Sequence, residues 1–254
     1  MKPNYRTNII ASIMSDAEFN IVIDPIFTND IIYPSDSKEE LIFAALNGGS
    51  VTLNGDVLLD STLIVADNKS LVINLNGYDI INNSTSTDVE KGDGIIVYGD
   101  LVIEGEGTVQ AKTRAVWARG NYGAKVTIKG GTFIGADANT EVIYASGDGK
   151  IDIYGGTFEA KQQSTSFASP QYAVLNLHGN GKDGCDINVY GGKFKNFDPA
   201  NNVSENPSAG YHNSNFVAEG YSSKPNGEWY EVVKNDEEDN YPDYVDKGTY
   251  YEVY

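Results

Sequence analysis

Between residues 51 and 198, apolar and polar residues alternate with the two-residue period typical of β-strands. The alternation is most regular in three near-copies of one phrase: KVTIKGGTF ending at Phe133, KIDIYGGTF ending at Phe158 and DINVYGGKF ending at Phe194. Each copy predicts a short strand, a Gly-Gly corner and a buried aromatic ring. Because the phrase recurs, the sequence predicts an all-β coil of stacked parallel strands.

The same alignment predicts which side chains form the core. Residues that are two apart in a strand point to the same side, so the apolar positions of successive copies should lie over one another. This predicts three inward stacks of like residues: Leu101, Val126, Ile151 and Ile187; Ile103, Ile128, Ile153 and Val189; and Val97, Ala118, Ala145 and Leu177.

Both ends of the repeat carry signals for a cap. Ser37 stands as an N-cap with Glu40 three residues later, and Gly48 follows the apolar face, which predicts a short helix that plugs the first coil. At the other end, FVAEGYSSKPNGEWYEVV predicts a hairpin, followed by an acidic, Tyr-rich tail. We therefore divide the chain into residues 1–34, a coil with its helix at 35–198, and a cap and tail at 199–254.

Residues 1–34 mix apolar clusters with Asp and Asn and show no sustained period. They are either a segment that attaches the protein to a partner or a strand or two that cover the first coil.

Composition limits the partners. The chain has 36 acidic and 18 basic side chains, a formal net charge of −18, so its surface repels nucleic acids and anionic membranes.

Cys185 stands alone, which excludes an intrachain disulfide. No apolar run is long enough for a membrane span or a secretory signal. We expect synthesis in a cytoplasm without a signal peptide.

The phrases GDLVIEGEGTV, KVTIKGGTF, KIDIYGGTFEA and DINVYGGKF carry a resemblance, together with the opening SKEELIFAALNGGSVTLNGDVLL and the closing FVAEGY and WYEVV. Over residues 37–233 the chain resembles right-handed parallel β-helix proteins of the pectin-lyase-like superfamily. Within it, the phrases look most like virion components of tailed, crAss-like gut phages. The resemblance implies a single-stranded right-handed β-helix and a head fibre, decoration protein or tail spike.

Enzymes of this superfamily place carboxylates on the outer face of neighbouring coils, and glycoside hydrolysis needs two of them across the sugar. The outward positions instead align in two mixed files: Val102, Thr127, Asp152 and Asn188; and Glu104, Lys129, Tyr154 and Tyr190. Glu104 and Lys129 predict a solvated ion pair. We therefore predict no catalytic residues and no cofactor. No loop repeats a coordination pattern, so we also predict no metal site, with calcium at one of the turns that contain Asp148, Asp183 and Asp186 as the alternative.

An aromatic file is the candidate contact site. Trp117 and Tyr144 align outward on successive coils, Tyr98 lies nearby, and Arg119 follows two residues along the strand. The rings could stack about 4.8 Å apart, one strand spacing, as a platform for a glycan. The same file could be the seam between subunits of a homodimer or homotrimer, or a core covered by a loop.

These observations favour a non-enzymatic structural protein of a phage virion, most simply a head fibre or decoration protein displayed on the particle. Its partners would be further copies of itself, other virion proteins reached through residues 1–34, and surface glycans. Two alternatives remain from other classes: a tail-spike-like polysaccharide depolymerase and a carbohydrate-binding β-helix module.

Overall fold

The computed structural model describes residues 37–84, 89–120, 123–137, 141–164, 172–178, 184–203 and 213–235. All of them belong to a compact unit that spans Ser35–Tyr254. The predicted attachment segment 1–34 and residues 236–254 of the acidic tail lie outside the described residues. So do His212 and most of two polar stretches between strands, KQQSTSFASPQ at 161–171 and GNGKDGC at 179–185.

The protein is mostly β, with one short α-helix, α1 (Ser37–Asn47), and three sheets of parallel strands. The first sheet contains β1 (Gly49–Thr52), β4 (Ser70–Asn74), β7 (Asp100–Glu104), β10 (Lys125–Ile128), β13 (Lys150–Ile153) and β16 (Asp186–Val189). The second contains β2 (Val57–Leu59), β5 (Ile80–Asn82), β8 (Thr108–Ala111), β11 (Thr132–Gly135), β14 (Thr157–Ala160) and β17 (Gly192–Lys195). The third contains β3 (Leu63–Val65), β6 (Ile95–Val97), β9 (Val116–Arg119), β12 (Ile143–Ser146) and β15 (Leu175–Leu177).

Consecutive strands pass from the first sheet to the second and then to the third, and each strand pairs with the equivalent strand before and after it. We call one such set of consecutive strands a rung. The remaining elements are a 3₁₀-helix (Val89–Gly92), the short antiparallel pair β18 (Asn202–Val203) and β19 (Asn213–Ser214), and a terminal hairpin, β20 (Tyr221–Asn226) and β21 (Trp229–Lys234).

The predicted inward stacks are confirmed by the strand register. Val126 lies between Leu101 and Ile151, and Ile151 lies beside Ile187, all in the first sheet. The parallel set, Ile103, Ile128, Ile153 and Val189, is in register and fully buried. The third set, Val97, Ala118, Ala145 and Leu177, is also in register, and all but the partly buried Leu177 are buried. All belong to one continuous core.

The aromatic residues that end the three phrases form a stack of their own. Phe133, Phe158 and Phe194 are buried, with ring centroids 5.1 Å and 4.8 Å apart and planes within 10° and 8° of parallel. Their spacing is close to the distance between neighbouring strands, about 4.8 Å, because each ring comes from the equivalent position of the next rung.

The two ends of the core are closed differently. Helix α1 packs Leu41, Ala44 and Ala45 onto the first rung, and Gly48, with φ +84°, ends the helix while its N–H donates to the Ala44 carbonyl. The Ser37 hydroxyl hydrogen-bonds with Asn54, which ties the start of the helix to the loop after β1.

At the far end β21 pairs antiparallel with β17, so the terminal hairpin extends the second sheet. Phe197, Phe216 and Val232 are buried there and close the end of the core.

A candidate binding groove on the third sheet

The outer face of the third sheet carries an apolar file that is separate from the core. Ile96, Trp117 and Tyr144 lie side by side on β6, β9 and β12, and Asn176 of β15 continues the file. The first three form a distinct hydrophobic cluster, against which Tyr98 packs. The structure therefore brings together the aromatic residues that the sequence singled out.

The two central rings are almost completely covered. Trp117 is 8% exposed and Tyr144 is 6% exposed, and their centroids lie 5.6 Å apart with planes tilted by 54°. The tilt brings the positive edge of one ring towards the face of the other, so the two rings do not form the flat platform that was one of the three alternatives for this file.

In the tilted arrangement the polar atom of each ring also has a hydrogen-bond partner. The Trp117 indole Nε1 donates to Ser146 Oγ at 2.9 Å, and the Tyr144 hydroxyl shares a hydrogen bond of 2.8 Å with His178 Nδ1. Each bond reaches a residue of the next rung. His178 is exposed, and its hydrogen bond holds the hydroxyl end of the Tyr144 ring.

Two arginines cover the aromatic cluster. The guanidinium carbon of Arg119 lies 4.5 Å from the Trp117 ring centroid and 5.9 Å from that of Tyr98. The guanidinium carbon of Arg114 lies 4.1 Å from Trp117 and 5.4 Å from Tyr144. All four contacts are cation–π interactions, which are strengthened where water is excluded.

Arg114 was missed in the sequence because it lies in the loop before β9 rather than in an alternating strand. One signal could have found it. The sequence has arginines at positions 6, 114 and 119, and two of these flank the same tryptophan.

A buried carboxylate holds Arg114 in place. Asp93 is completely buried, and its Oδ1 accepts hydrogen bonds from Arg114 Nε at 3.0 Å, from the Arg114 backbone N–H at 3.1 Å and from the Thr113 hydroxyl. The Arg114 side chain is 11% exposed. A buried ion pair of this kind fixes the plane and position of the guanidinium group, because movement of Arg114 away from the ring would leave the buried Asp93 carboxylate without its counter-charge.

These residues line a shallow groove of about 390 Å³ on the outside of the molecule. The side chains at the groove are those of Arg114, Trp117, Arg119, Tyr144, Ser146 and His178. Glycines at positions 120 and 147 also line it and leave space between the side chains. The groove therefore offers guanidinium donors, a hydroxyl and an imidazole around a covered aromatic floor.

The outer face of the first sheet is different in character. Lys129 Nζ and Glu104 Oε2 form the predicted surface ion pair at 3.4 Å. Next to them Tyr154 and Tyr190 stack face to face, with centroids 4.7 Å apart and planes within 8°. Tyr154 is exposed and Tyr190 is half-buried, and the Tyr221 ring meets the Tyr190 ring at 88° with centroids 5.6 Å apart.

The charges on this face affect Tyr190. Burial raises the pKa of the Tyr190 hydroxyl above its usual value, and the carboxylate of Asp152 adds to the rise. Asp152 itself accepts a hydrogen bond from Asn188 at 3.2 Å. Its aligned neighbours in the strand register are Thr127 and Asn188, as the sequence predicted.

Comparisons of the chain with protein-family models, with curated proteins and with solved structures found no match. Within the described ranges, no three His, Cys, Asp or Glu side chains come together as a metal site. No helix in the described part of the chain is long and apolar enough to cross a membrane.

Proposed function

We propose that residues 35–198 form a right-handed single-stranded parallel β-helix, and that the protein is a non-enzymatic structural component of a phage virion. In this proposal it is a head fibre or decoration protein displayed on the particle surface. The supporting observation is the uninterrupted parallel pairing of equivalent strands through six rungs of the first sheet.

Such pairing favours a stiff appendage. Each rung hydrogen-bonds along its strands to the rungs on either side, and like side chains fill one core from end to end. Bending the stack would break backbone hydrogen bonds and open the core at the same time. A rigid spacer on the outside of a particle needs this property.

The right-handedness of the coil is part of the proposal. Connections between parallel strands of one sheet are right-handed in almost all known cases, because of the twist of the strands. The resemblance noted in the sequence points to the same hand.

The groove on the third sheet is the proposed contact surface. Its aromatic and arginine side chains are residue types that are enriched in interfaces and sugar sites alike. The contacts would be made with further copies of the chain in a dimer or trimer, or with glycans, while residues 1–34 attach to other virion proteins. The groove also favours a second candidate, a carbohydrate-binding β-helix module that is not part of a virion.

Immunogold electron microscopy of purified phage particles tests the proposal. Antibodies raised against residues 37–235 should label the particles, and a head fibre or decoration protein predicts gold on the heads. Label on the tails would favour the tail-spike alternative. Particles without label, from a lysate in which the protein is abundant, would reject the virion role.

An assay on a panel of bacterial polysaccharides tests the proposal that the protein is not an enzyme. The native protein and the Asp152→Asn variant should both release no reducing or unsaturated ends. Turnover by the native protein that the variant lacks would make it a depolymerase.

A further inference from the structure

We propose that the α1 end of the coil binds a second copy of this chain in a twofold-symmetric dimer. The contact surface is the outer face of α1 together with the groove beside the helix, and it is separate from the groove on the third sheet. This inference goes beyond the proposed function and does not depend on a virion role, so the failure of one and the failure of the other are separate results.

The first argument is the concentration of exposed hydrophobic side chains at this end. Six large hydrophobic side chains of the described residues are exposed, and five of them lie between residues 42 and 64. We call four of these the α1 patch: Ile42, Phe43, Leu46 and Ile64, which are 39–52% exposed. Ile42 and Phe43 each lie within one turn of Leu46, so the three helical residues share the outer face of α1. Contiguous exposed apolar surface of this kind often marks an interaction site.

The second argument is the shape of the surface. A groove of about 340 Å³ lies beside α1, where Ile42 and Leu46 line it from the helix and Ile64 lines it from β3. The buried Leu59 and Leu63 also line this groove. The helix therefore presents a ridge of side chains with a groove next to it, and helices pack by placing such ridges into grooves. A twofold axis brings the same patch of both copies together, so each ridge can meet the groove of the other copy.

The third argument is charge. Each copy carries a formal net charge of −18, so two copies repel wherever acidic surfaces approach each other. The charged side chains that line the groove are Lys38 and Asp60, which form an ion pair at 2.9 Å, and the groove therefore has no net charge. Glu39 and Glu40 lie in the first turn of α1, where they would belong to the polar rim that interfaces commonly have. This face thus lets two acidic chains meet around an uncharged centre.

The fourth argument is area. Open side chains of this size expose roughly 150–200 Å² each, so the four residues of the α1 patch present about 300 Å² per copy. Two copies would bury about 600 Å² of apolar side chain. An interface at the lower end of the usual size range buries about 1,200 Å² in total, a little over half of it apolar. The patch is therefore large enough for a reversible dimer.

Sedimentation velocity on the full chain at about 1–200 μM, a range that covers micromolar dissociation constants, tests the proposal. The mass should rise with concentration from the 27.5 kDa of one chain to twice that value and no further, because a twofold contact closes at two copies. A chain that stays monomeric throughout this range would overturn the proposal, and residues 1–34 or a different protein would then be the occupant of the patch. A mass that grows beyond two chains would overturn the twofold symmetry.

A charge-introducing variant locates the contact. Ile42→Glu should raise the dissociation constant of the dimer at least about 100-fold, because the twofold axis would place two carboxylates in an apolar contact. The folded monomer should tolerate the change, since Ile42 is exposed and glutamate favours helices. Tyr154→Glu is the matched control, because it makes the same kind of change at an exposed side chain of the first sheet, and it should dimerise as the native protein does.

A native dissociation constant in Ile42→Glu would overturn the proposal, because the copies would then meet at another surface, such as the groove on the third sheet. Thermal melting followed by circular dichroism shows whether this variant is folded. If it is not, Leu46→Lys replaces it, since Leu46 is 52% exposed and a lysine in the last turn suits the helix dipole. Leu46→Lys should weaken the dimer at least about tenfold, and native affinity in this variant would equally reject the α1 patch.

Discussion

At the scale of single residues, each Gly-Gly corner requires glycine at its two positions for two different steric reasons. The second glycine, at Gly131, Gly156 and Gly192, has φ between +91° and +112°, which side chains with a Cβ rarely adopt. The first lies against the rung below, since a Cβ on Gly191 would lie 2.5 Å from the Tyr154 carbonyl oxygen. The corner therefore permits the rungs to approach to strand spacing.

We predict that Gly191→Ala destabilises the protein by about 1–3 kcal/mol, because the new methyl group forces neighbouring rungs apart. Gly55→Ala is the matched control. A Cβ on Gly55 would have no atom of the described residues within 4 Å, and Gly55 has no positive φ, so its substitution should be nearly neutral. Thermal unfolding by circular dichroism checks both, and equal melting temperatures would contradict the steric explanation.

At the scale of elements, α1 has two unlike faces. Leu41 and Ala45 are fully buried on the first rung, while Ile42, Phe43 and Leu46 are exposed. The helix thus covers the apolar end of the core with one face only. Without it, the inward residues of β1, β2 and β3 would meet water.

Leu41→Ala should lower the free energy of unfolding by about 2–5 kcal/mol, because it opens a cavity at the end of the core. Ile42→Ala, one residue away and 39% exposed, should cost less than about 1 kcal/mol. Urea titrations of the two variants measure the difference. Similar losses in both would mean that the helix does not act as a plug.

How far the sequence predicts these elements depends on how local the signal is. The stack Ile103, Ile128, Ile153 and Val189 could be found because strand alternation has period two and the glycine corners set the alignment. The caps could be found from Gly48 and the Pro-Asn-Gly turn.

The groove could be predicted only in part. The position of Trp117 beside Tyr144 follows from the alignment, but the tilt of the rings does not, since it depends on hydrogen bonds to Ser146 and His178 of later rungs. The role of Arg114 does not follow from the alignment either, because it depends on the ion pair with Asp93, which lies 21 positions away in a different loop.

At the scale of the whole molecule, the buried apolar residues of the described strands join into one core that runs from rung to rung. Local opening of a strand in the middle would break pairing with two neighbours and expose residues of three rungs. Such coupling makes partial unfolding of the interior costly relative to the ends.

Trypsin should therefore cleave the native protein slowly at Arg114, Lys125, Lys129 and Lys150, which lie in or beside paired strands. The heat-unfolded protein is the control, in which all four sites should be cut rapidly. Mass spectrometry of timed digests identifies the cuts. Rapid cleavage of the native protein at these four positions would contradict a stiff, cooperatively folded interior.

The register of equivalent rungs has a consequence for evolution and engineering. The interval from Gly130 to Gly155, 25 residues, returns the chain to the same place one strand spacing further on. Duplicating that interval would add a layer about 4.8 Å thick whose two surfaces already match their new neighbours. Gene duplication or deletion can thus lengthen or shorten the stack of strands by one whole rung at a time.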